Sequence, residues 1–410
     1  MDRNDRFPPA INPILLEDIM NAKERPSPTA VDRLLCSPTF GIPFFIAVVF
    51  AVFSLSFSTL GALLSLQIER LLLHATALVA RGLGALGAAD WVCRFLTDGV
   101  MKSVSAVLAF LPQTALLFLS LSVLEECGYL ARAARAIDPV TRRFGLSGHA
   151  VVPMLDAVGC NASAFGKCTA LCNADQKRLS CALPLVPCGA RLPVIMLTAS
   201  LFEPWEREVA ILLFLLTLLM SLCSAATCRE KRPPPLTGPL HPLRIPSPVR
   251  ICRTVLQKLW EFLLRAATVV LLSDLVTDLA LALTPRLTPA QNGGESLLAA
   301  LCAFLAPPLA PLGFADGRAI AALIAGLFAK ESVASVLLLC ASDVSAILPD
   351  RAAWLSFAVF SLSYLPCVST TRALIRYRGA GETVHTIVKN LILSFLFSYV
   401  TYTFARFLSI

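Results

Sequence analysis

Charge is scarce in this chain. Asp, Glu, Lys and Arg make up 15% of its 410 residues, against about 25% in soluble domains. With 56% hydrophobic residues and a mean hydropathy of +0.73, the sequence excludes an ordinary water-soluble domain. Histidine is rarer still: His74, His149, His241 and His385 are scattered without the spacing of a zinc site. No Gly-x-x-x-x-Gly-Lys-Ser/Thr loop occurs. The nearest approach, Gly159 to Lys167, has the wrong spacing and ends on Cys168, so this chain is expected to bind no nucleotide. No nucleophile–base arrangement is visible either, and catalysis is not expected. Met1 to Thr39 is polar, charged and proline-bearing, without the apolar core of a cleaved signal, so this leader is expected to stay on one side.

Long apolar runs fill the rest. Gly41 to Leu66, Val104 to Leu124, Val209 to Ala226, Ala266 to Leu283 and Leu391 to Leu408 are about as long as the ~20 residues a helix needs to cross a bilayer. Leu179 to Phe202, Ile320 to Cys340 and Trp354 to Ser369 are similar but interrupted. The predicted fold is all-α, a polytopic membrane protein of seven to nine spans with discontinuous helices.

Basic residues set the expected orientation. Five lie in the first 40 positions, four between Arg132 and Arg143, and five between Arg229 and Arg250, whereas Thr284 to Glu295 holds only Arg286. The positive-inside rule puts the N-terminus and the Arg229 to Arg250 segment in the cytoplasm. The net charge of +8 is therefore topological, and no nucleic-acid partner follows from it. The same segment contains seven prolines and cannot continue a helix. It divides the chain into a leader (1–40), a first membrane half (41–228), a linker (229–254) and a second membrane half (255–410).

Each half contains apolar segments broken by polar residues. Gly159-Cys160-Asn161 and Pro187-Cys188 interrupt the first, Lys330-Glu331 and Pro366-Cys367 the second. Paired interruptions in two halves point to a transport site near the membrane midplane. A proline also frees a carbonyl one turn earlier, which in lipid needs a partner. Thiols beside carbonyl and carboxylate oxygens suit a borderline divalent ion such as ferrous iron rather than sodium or magnesium. Cys160, Cys188, Cys367, Asn161, Asp156 and Glu331 form the candidate ligand set.

The remaining polar residues divide by context. Cys223, Cys302 and Cys340 lie on apolar runs and read as packing; Cys168, Cys172 and Cys181 form a loose group without histidines. Glu125 and Glu126 end an apolar run, either reaching to the interface or serving as carboxylates at the mouth of the path with Arg132 as ion-pair partner. Arg191 is expected to fix a helix break or to pair with a carboxylate. Lys330 and Glu331 form a buried pair, or Glu331 is a path acid. Asp274 and Asp278 share a helix face. Asp156, four residues before Cys160, would share a helix face with it, or it is neutralised by Lys167.

The segments Leu124-Glu125-Glu126-Cys127-Gly128-Tyr129-Leu130-Ala131-Arg132-Ala133-Ala134, Gly145-Leu146-Ser147-Gly148, Gly159-Cys160-Asn161, Cys188-Gly189-Ala190-Arg191-Leu192-Pro193-Val194, Ala329-Lys330-Glu331 and Tyr364-Leu365-Pro366-Cys367-Val368 resemble, in order, the membrane domain of the FeoB ferrous iron transporter family. The resemblance extends over about residues 30 to 410. It implies two Gate regions, about 146–202 and 319–371, a bacterial inner-membrane location, and metal-path roles for Cys160, Cys188 and Cys367. The chain departs from that family in three ways: only about 40 residues precede Gly41 where a GTPase domain is expected, Ser163 replaces a Gate proline, and Asp156 replaces a small or apolar residue.

The expected function is a permease carrying Fe2+, or a similar divalent metal, as its substrate. The expected partners are the lipid bilayer, a separately encoded GTPase or a small FeoA-like cytoplasmic protein, and further copies of the chain. Two other readings stand beside it: a FeoB-like regulatory or assembly protein without transport, and a Gate-type permease for nucleosides or other small solutes.

Overall fold

A computed structural model describes residues 30–58, 60–85, 96–97, 101–169, 171–228, 243–260, 263–264, 297–328, 330–340 and 344–408. The predicted span Ala266 to Leu283, the loop Thr284 to Glu295, Asp274, Asp278, His241 and most of the proline-rich linker lie outside them. The described residues are mainly helical, with no strand among them.

In chain order the helices are α1 (Ala30–Cys36), α2 (Pro38–Phe53), α3 (Leu60–Ala85), α4 (Lys102–Glu126), α5 (Tyr129–Thr141), α6 (Val151–Gly159), α7 (Asn161–Cys168), α8 (Asn173–Ala182), α9 (Leu192–Ala199) and α10 (Glu206–Ala226). They continue with α11 (248–260), α12 (Leu297–Leu309), α13 (Gly317–Phe328), α14 (Ser332–Cys340), α15 (Arg351–Ser363), α16 (Val368–Arg378) and α17 (Ala380–Phe407). Among the described residues four helical runs are long and apolar enough to cross a bilayer, and up to seven if each of three bent pairs counts as one span. The bends measure 85° between α4 and α5, 103° between α12 and α13, and 42° between α15 and α16.

Each bend has a local cause. Gly128, at φ 82°, turns α4 into α5 through the left-handed region that glycine adopts at low cost. Gly313 does the same after α12 at φ 86°, and a side chain there would collide with the Tyr402 ring. Pro366 cannot continue the hydrogen-bond ladder of α15 and disfavours helix at the residue before it, so α15 stops and α16 restarts at Val368. Asp350 caps α15 by accepting from the Ala353 amide at 2.7 Å, satisfying one of the orphan donors of its first turn.

The broken helices of the two halves pack into each other. α7 lies against α16, and both α9 and α10 lie against α15, which also pairs along its length with α17. One apolar core joins Val194, Ile195 and Met220 of the first half to Phe314, Leu323, Trp354 and Phe357 of the second. The outside is equally apolar: Phe50, Leu71, Phe404 and Phe407 are each more than 60% exposed. A helix facing lipid loses no apolar burial by separating, so packing and polar contacts must hold such helices together. Those contacts are present. Ser356 and Ser398 share hydroxyls at 2.8 Å between α15 and α17. Asn390 of α17 accepts from Ser224 of α10 at 2.8 Å and donates to the Cys181 carbonyl of α8 at 3.0 Å.

The N-terminal segment is fastened electrostatically. Arg132, 1% exposed, donates to Asp32 at 2.6 Å and to the Gly128 carbonyl at 2.8 Å. This corrects the expectation that Arg132 pairs with Glu125 or Glu126. Those carboxylates end α4, whereas Arg132 lies one turn into α5 beyond the 85° bend, where it meets α1 instead. Removing one member of a buried ion pair is destabilising, by about 3–5 kcal/mol. Asp32→Ala should therefore lower the melting temperature of the detergent-solubilised protein markedly, and Asp32→Leu combined with Arg132→Leu should recover most of the loss. A double variant that melts no higher than Asp32→Ala would refute this account.

Candidate functional site

The three break-associated cysteines occupy equivalent places in the backbone. Cys160 stands between α6 and α7, Cys188 opens the 3₁₀ turn Gly189–Arg191 before α9, and Cys367 opens α16. Each has extended φ and ψ just before a helical segment begins. All three thiols are at least partly enclosed and lie within Coulomb range of one another. Arg191, Lys330 and Glu331 are within the same range of Cys188. The fold thus gathers residues from positions 160 to 367 around one locus.

The break before Cys188 is held by side chains. Val186, preceding Pro187, leaves the helical region at ψ 128°, and the carbonyls of Pro184, Leu185 and Val186 turn away from any helix ladder. Arg191 takes them up, with Nη2 donating to Pro184 at 2.8 Å and Nη1 to Leu185 at 3.2 Å and Val186 at 3.1 Å. Asn161 adds a bond from Nδ2 to the Val186 carbonyl at 3.2 Å. The carbonyls expected to face an ion are therefore occupied by guanidinium and amide. The Asn161 Oδ1 atom, in contrast, is buried without a hydrogen-bond partner.

The other break carries a buried lysine with no hydrogen-bonded anion. Lys330, 3% exposed in the turn between α13 and α14, has no hydrogen-bond acceptor for its Nζ atom. The ammonium rests instead over the Tyr364 ring, 3.8 Å from its centroid, a cation–π contact. Tyr364 is itself anchored by its hydroxyl, which donates to the Leu323 carbonyl at 2.5 Å. Gly326 permits this approach, since a Cβ there would lie 2.3 Å from Val333 and 2.9 Å from the Tyr364 hydroxyl.

Asp156 lies elsewhere. Cys160 caps the end of α6: its amide still donates to the Asp156 carbonyl at 3.0 Å, while its own backbone is extended (φ −154°, ψ 117°). Asp156, with a side chain 4% exposed, lies against Lys167 at 2.9 Å and near Lys258 of α11 at 4.0 Å. Lys167 also binds Glu125 at 2.6 Å. Glu126 accepts from the Ser247 amide at 3.1 Å and pairs with Arg250 at 3.5 Å. Glu125, Glu126 and Asp156 thus form an ion-pair chain that docks the start of α11 onto α4. Ser163 donates to the Cys160 carbonyl at 2.8 Å, and the α6–α7 break forms without a proline.

Among the described residues no group of three or more His, Cys, Asp or Glu side chains is arranged to hold a metal ion. The locus is a set of thiols and charges without finished coordination geometry. The loose group Cys168, Cys172 and Cys181 is dispersed: Cys168 packs in the core, Cys172 is exposed and bonds Asp175 at 3.3 Å, and Cys181 meets Cys228 at 3.0 Å. Sequence spacing did not signal that last pair, which is 47 positions apart. Cys181 lies near the end of α8 and Cys228 two residues past the end of α10, and they are brought together by the packing of those helices.

A family model described as "Gate: Nucleoside recognition" matches residues 107–229. The chain is 28% identical over 413 aligned residues to a protein named Fe(2+) transporter FeoB from Staphylococcus aureus (strain MSSA476), covering 95% of this chain and 62% of that protein. Proteins of the same name from Methanocaldococcus jannaschii and Escherichia coli (strain K12) are each 28% identical over 75% of this chain, covering 49% and 41% of their own lengths. The chain thus spans less than two thirds of the relatives it matches. No solved structure matches it.

The ion-pair chain makes an asymmetric prediction. Lys167→Ala leaves the buried Asp156 carboxylate with only the longer Lys258 contact, at a cost of about 3 kcal/mol, whereas Asp156→Ala leaves Lys167 paired with Glu125. Thermal melts should show Lys167→Ala as the more damaging variant, with partial recovery in the double variant. Equal losses in both single variants would contradict the arrangement.

Proposed function

We propose that this chain, which is related over nearly its whole length to the membrane part of FeoB proteins, carries ferrous iron or a similar divalent transition metal through a bilayer. The observation that carries the reading is the convergence of Cys160, Cys188 and Cys367, from three separate helix breaks in two halves, on one locus, with Glu331 near Cys188. Sulfur ligands select transition metals over sodium, magnesium and calcium.

Charge defines how the locus would work. With neutral thiols, the locus offers a cation Glu331 as its carboxylate and has the Arg191 guanidinium close by. A thiol in water has a pKa of about 8.5 and must lose its proton to ligate. Deprotonation of the three thiols on binding would supply the negative charge that a divalent ion requires. Metal entry is then coupled to proton release. Lys330, unbonded at Nζ, is free to swing off Tyr364 as the ion arrives. Asn161 Oδ1 supplies an additional unused oxygen. Arg191 does not ligate: it keeps the Pro184–Val186 backbone satisfied so that the break persists inside the membrane. Asp156 serves in the ion-pair chain with Lys167 and is not a ligand.

The chain lies in a cytoplasmic membrane with its basic linker inside, following the distribution of Lys and Arg. A GTPase or small partner protein docks on that face, where Glu126 and Arg250 hold α11. The family description of nucleoside recognition gives a second reading, in which the polar groups at the breaks bind a nucleoside. The full-length relatives named as iron transporters and the three converging thiols favour metal.

Uptake of iron-55 into proteoliposomes under reducing conditions, with labelled nucleoside measured beside it, separates the two. Cys160→Ser, Cys188→Ser and Cys367→Ser should each reduce iron uptake about tenfold, the effect of ~1.4 kcal/mol of lost ligand energy, while Cys223→Ser and Cys302→Ser leave it near the starting level. Unchanged uptake in all three break variants removes the thiols from the path, and nucleoside uptake without iron uptake reverses the assignment. Because binding releases thiol protons, apparent iron affinity should rise between about pH 6 and 8; a flat profile would contradict thiolate ligation.

A further inference from the structure

A second pair of thiols lies away from the metal locus. Cys181, near the end of α8 and 7% exposed, and Cys228, just beyond α10, place their sulfur atoms 3.0 Å apart. A disulfide needs about 2.05 Å, so the two side chains are about one ångström from bonding distance. Lys389 of α17 sets its ammonium 3.7 Å from Cys228 Sγ, held there by bonds to the Ser224 carbonyl at 2.9 Å and to Thr227 Oγ1 at 3.0 Å. A fixed cation beside a thiol favours the thiolate, the reactive form.

The pair lines a cavity of about 390 Å³, bordered also by Lys177, Arg378, His385 and Lys389. Among the described residues Glu382 is the one carboxylate on its lining, and it is paired with Arg378 at 3.4 Å. The volume lies in the range of small-molecule sites, and the lining is dominated by cations. Chemistry that uses two adjacent thiols in a cationic cavity is exchange with a disulfide that carries negative charge.

We propose that Cys181 and Cys228 form a thiol–disulfide exchange site for a small carboxylate-bearing disulfide, and that the product is a reversible bond joining α8 to the end of α10. One thiolate of the pair attacks a sulfur of the small disulfide. A mixed disulfide forms, the original sulfur–sulfur bond breaks, and one small thiolate departs with the electron pair. The second cysteine, having lost its proton, then attacks the protein sulfur of the mixed disulfide and expels the second small thiolate. The two departing thiolates take up the two protons, so the cysteines are oxidised by two electrons and the small disulfide is reduced to two thiols. Excess small thiol or a dithiol reductant reverses both steps.

The position gives the bond a structural consequence. Cys181 is three residues before Pro184, whose carbonyl Arg191 holds. A bond to Cys228 would tie the approach to that break onto α10. Neither the exchange nor its detection depends on what the protein transports.

The test uses the full chain in detergent, carrying Cys172→Ser and Cys252→Ser because both thiols are exposed. Oxidised glutathione is the anionic probe and cystamine its cationic counterpart, followed by peptide mass spectrometry. The expected product is a peptide pair cross-linked through Cys181 and Cys228 that reappears as free thiols after dithiothreitol. Oxidised glutathione should react at least several-fold faster than cystamine at low salt, and raising the salt should shrink that ratio, because the attraction is screened. Lys177→Gln should slow the anionic probe while leaving cystamine unaffected or faster. Cys228→Ser should abolish the cross-link. Absence of the cross-linked pair in the parent protein overturns the site, and equal or faster reaction with cystamine overturns its preference for carboxylate-bearing disulfides.

Discussion

The guanidinium of Arg191 on the carbonyls of Pro184, Leu185 and Val186 is the contact on which the centre of this molecule depends. In a bilayer an unpaired carbonyl costs several kcal/mol, because no water replaces the lost helix bond. A proline at position 187 creates three such carbonyls together. Arg191, four residues on and 2% exposed, accounts for all three, and Asn161 adds an amide from the neighbouring break. Cys188 owes its place at a helix start to this arrangement: without the guanidinium, the backbone of that segment would have to close up as helix or admit water.

The same economy recurs between helices. Lipid-facing surfaces such as those around Phe50 and Phe404 gain nothing from burial against another helix. Association is carried by close packing around Phe314, Phe357 and Trp354 and by small polar groups facing each other across interfaces, among them Ser356 with Ser398 and Asn390 with Ser224. Asn390 and Ser224 both reach the carbonyl of Cys181, so the hydrogen bonds that join α8, α10 and α17 also fix one member of the dithiol.

Charged residues fall into two groups with different physics. At the edge of the first half, Glu125 and Asp156 share Lys167, with Lys258 also near Asp156, and Arg132 is matched by Asp32. Inside, Lys330 has only a ring face. A buried amine with no anion to bond is costly to charge, and among the described residues it lies beside the thiols that the two halves bring together.

Much of this was legible from sequence, for reasons of scale. A chain must supply long apolar runs to cross lipid, and prolines and glycines must mark where helices fail, so the all-helical membrane class, the breaks at Cys160, Cys188 and Cys367, and the role of Arg191 in holding a break follow from residues close together in the chain. Partner choice was not legible. Glu125 and Glu126 are six or seven residues from Arg132, yet an 85° turn at Gly128 sends that arginine to Asp32, a hundred residues away. Asp156 and Cys160 keep a helical backbone bond, yet the Asp156 carboxylate is taken up by Lys167 from the next helix. Cys181 and Cys228 meet only because α8 and α10 pack side by side. Local composition determines where a backbone can run as helix and where it must stop; which side chains then share a few ångströms is decided by the angles at those stops, and small changes in angle at Gly128, Cys160 or Pro366 move distant residues by whole helix diameters.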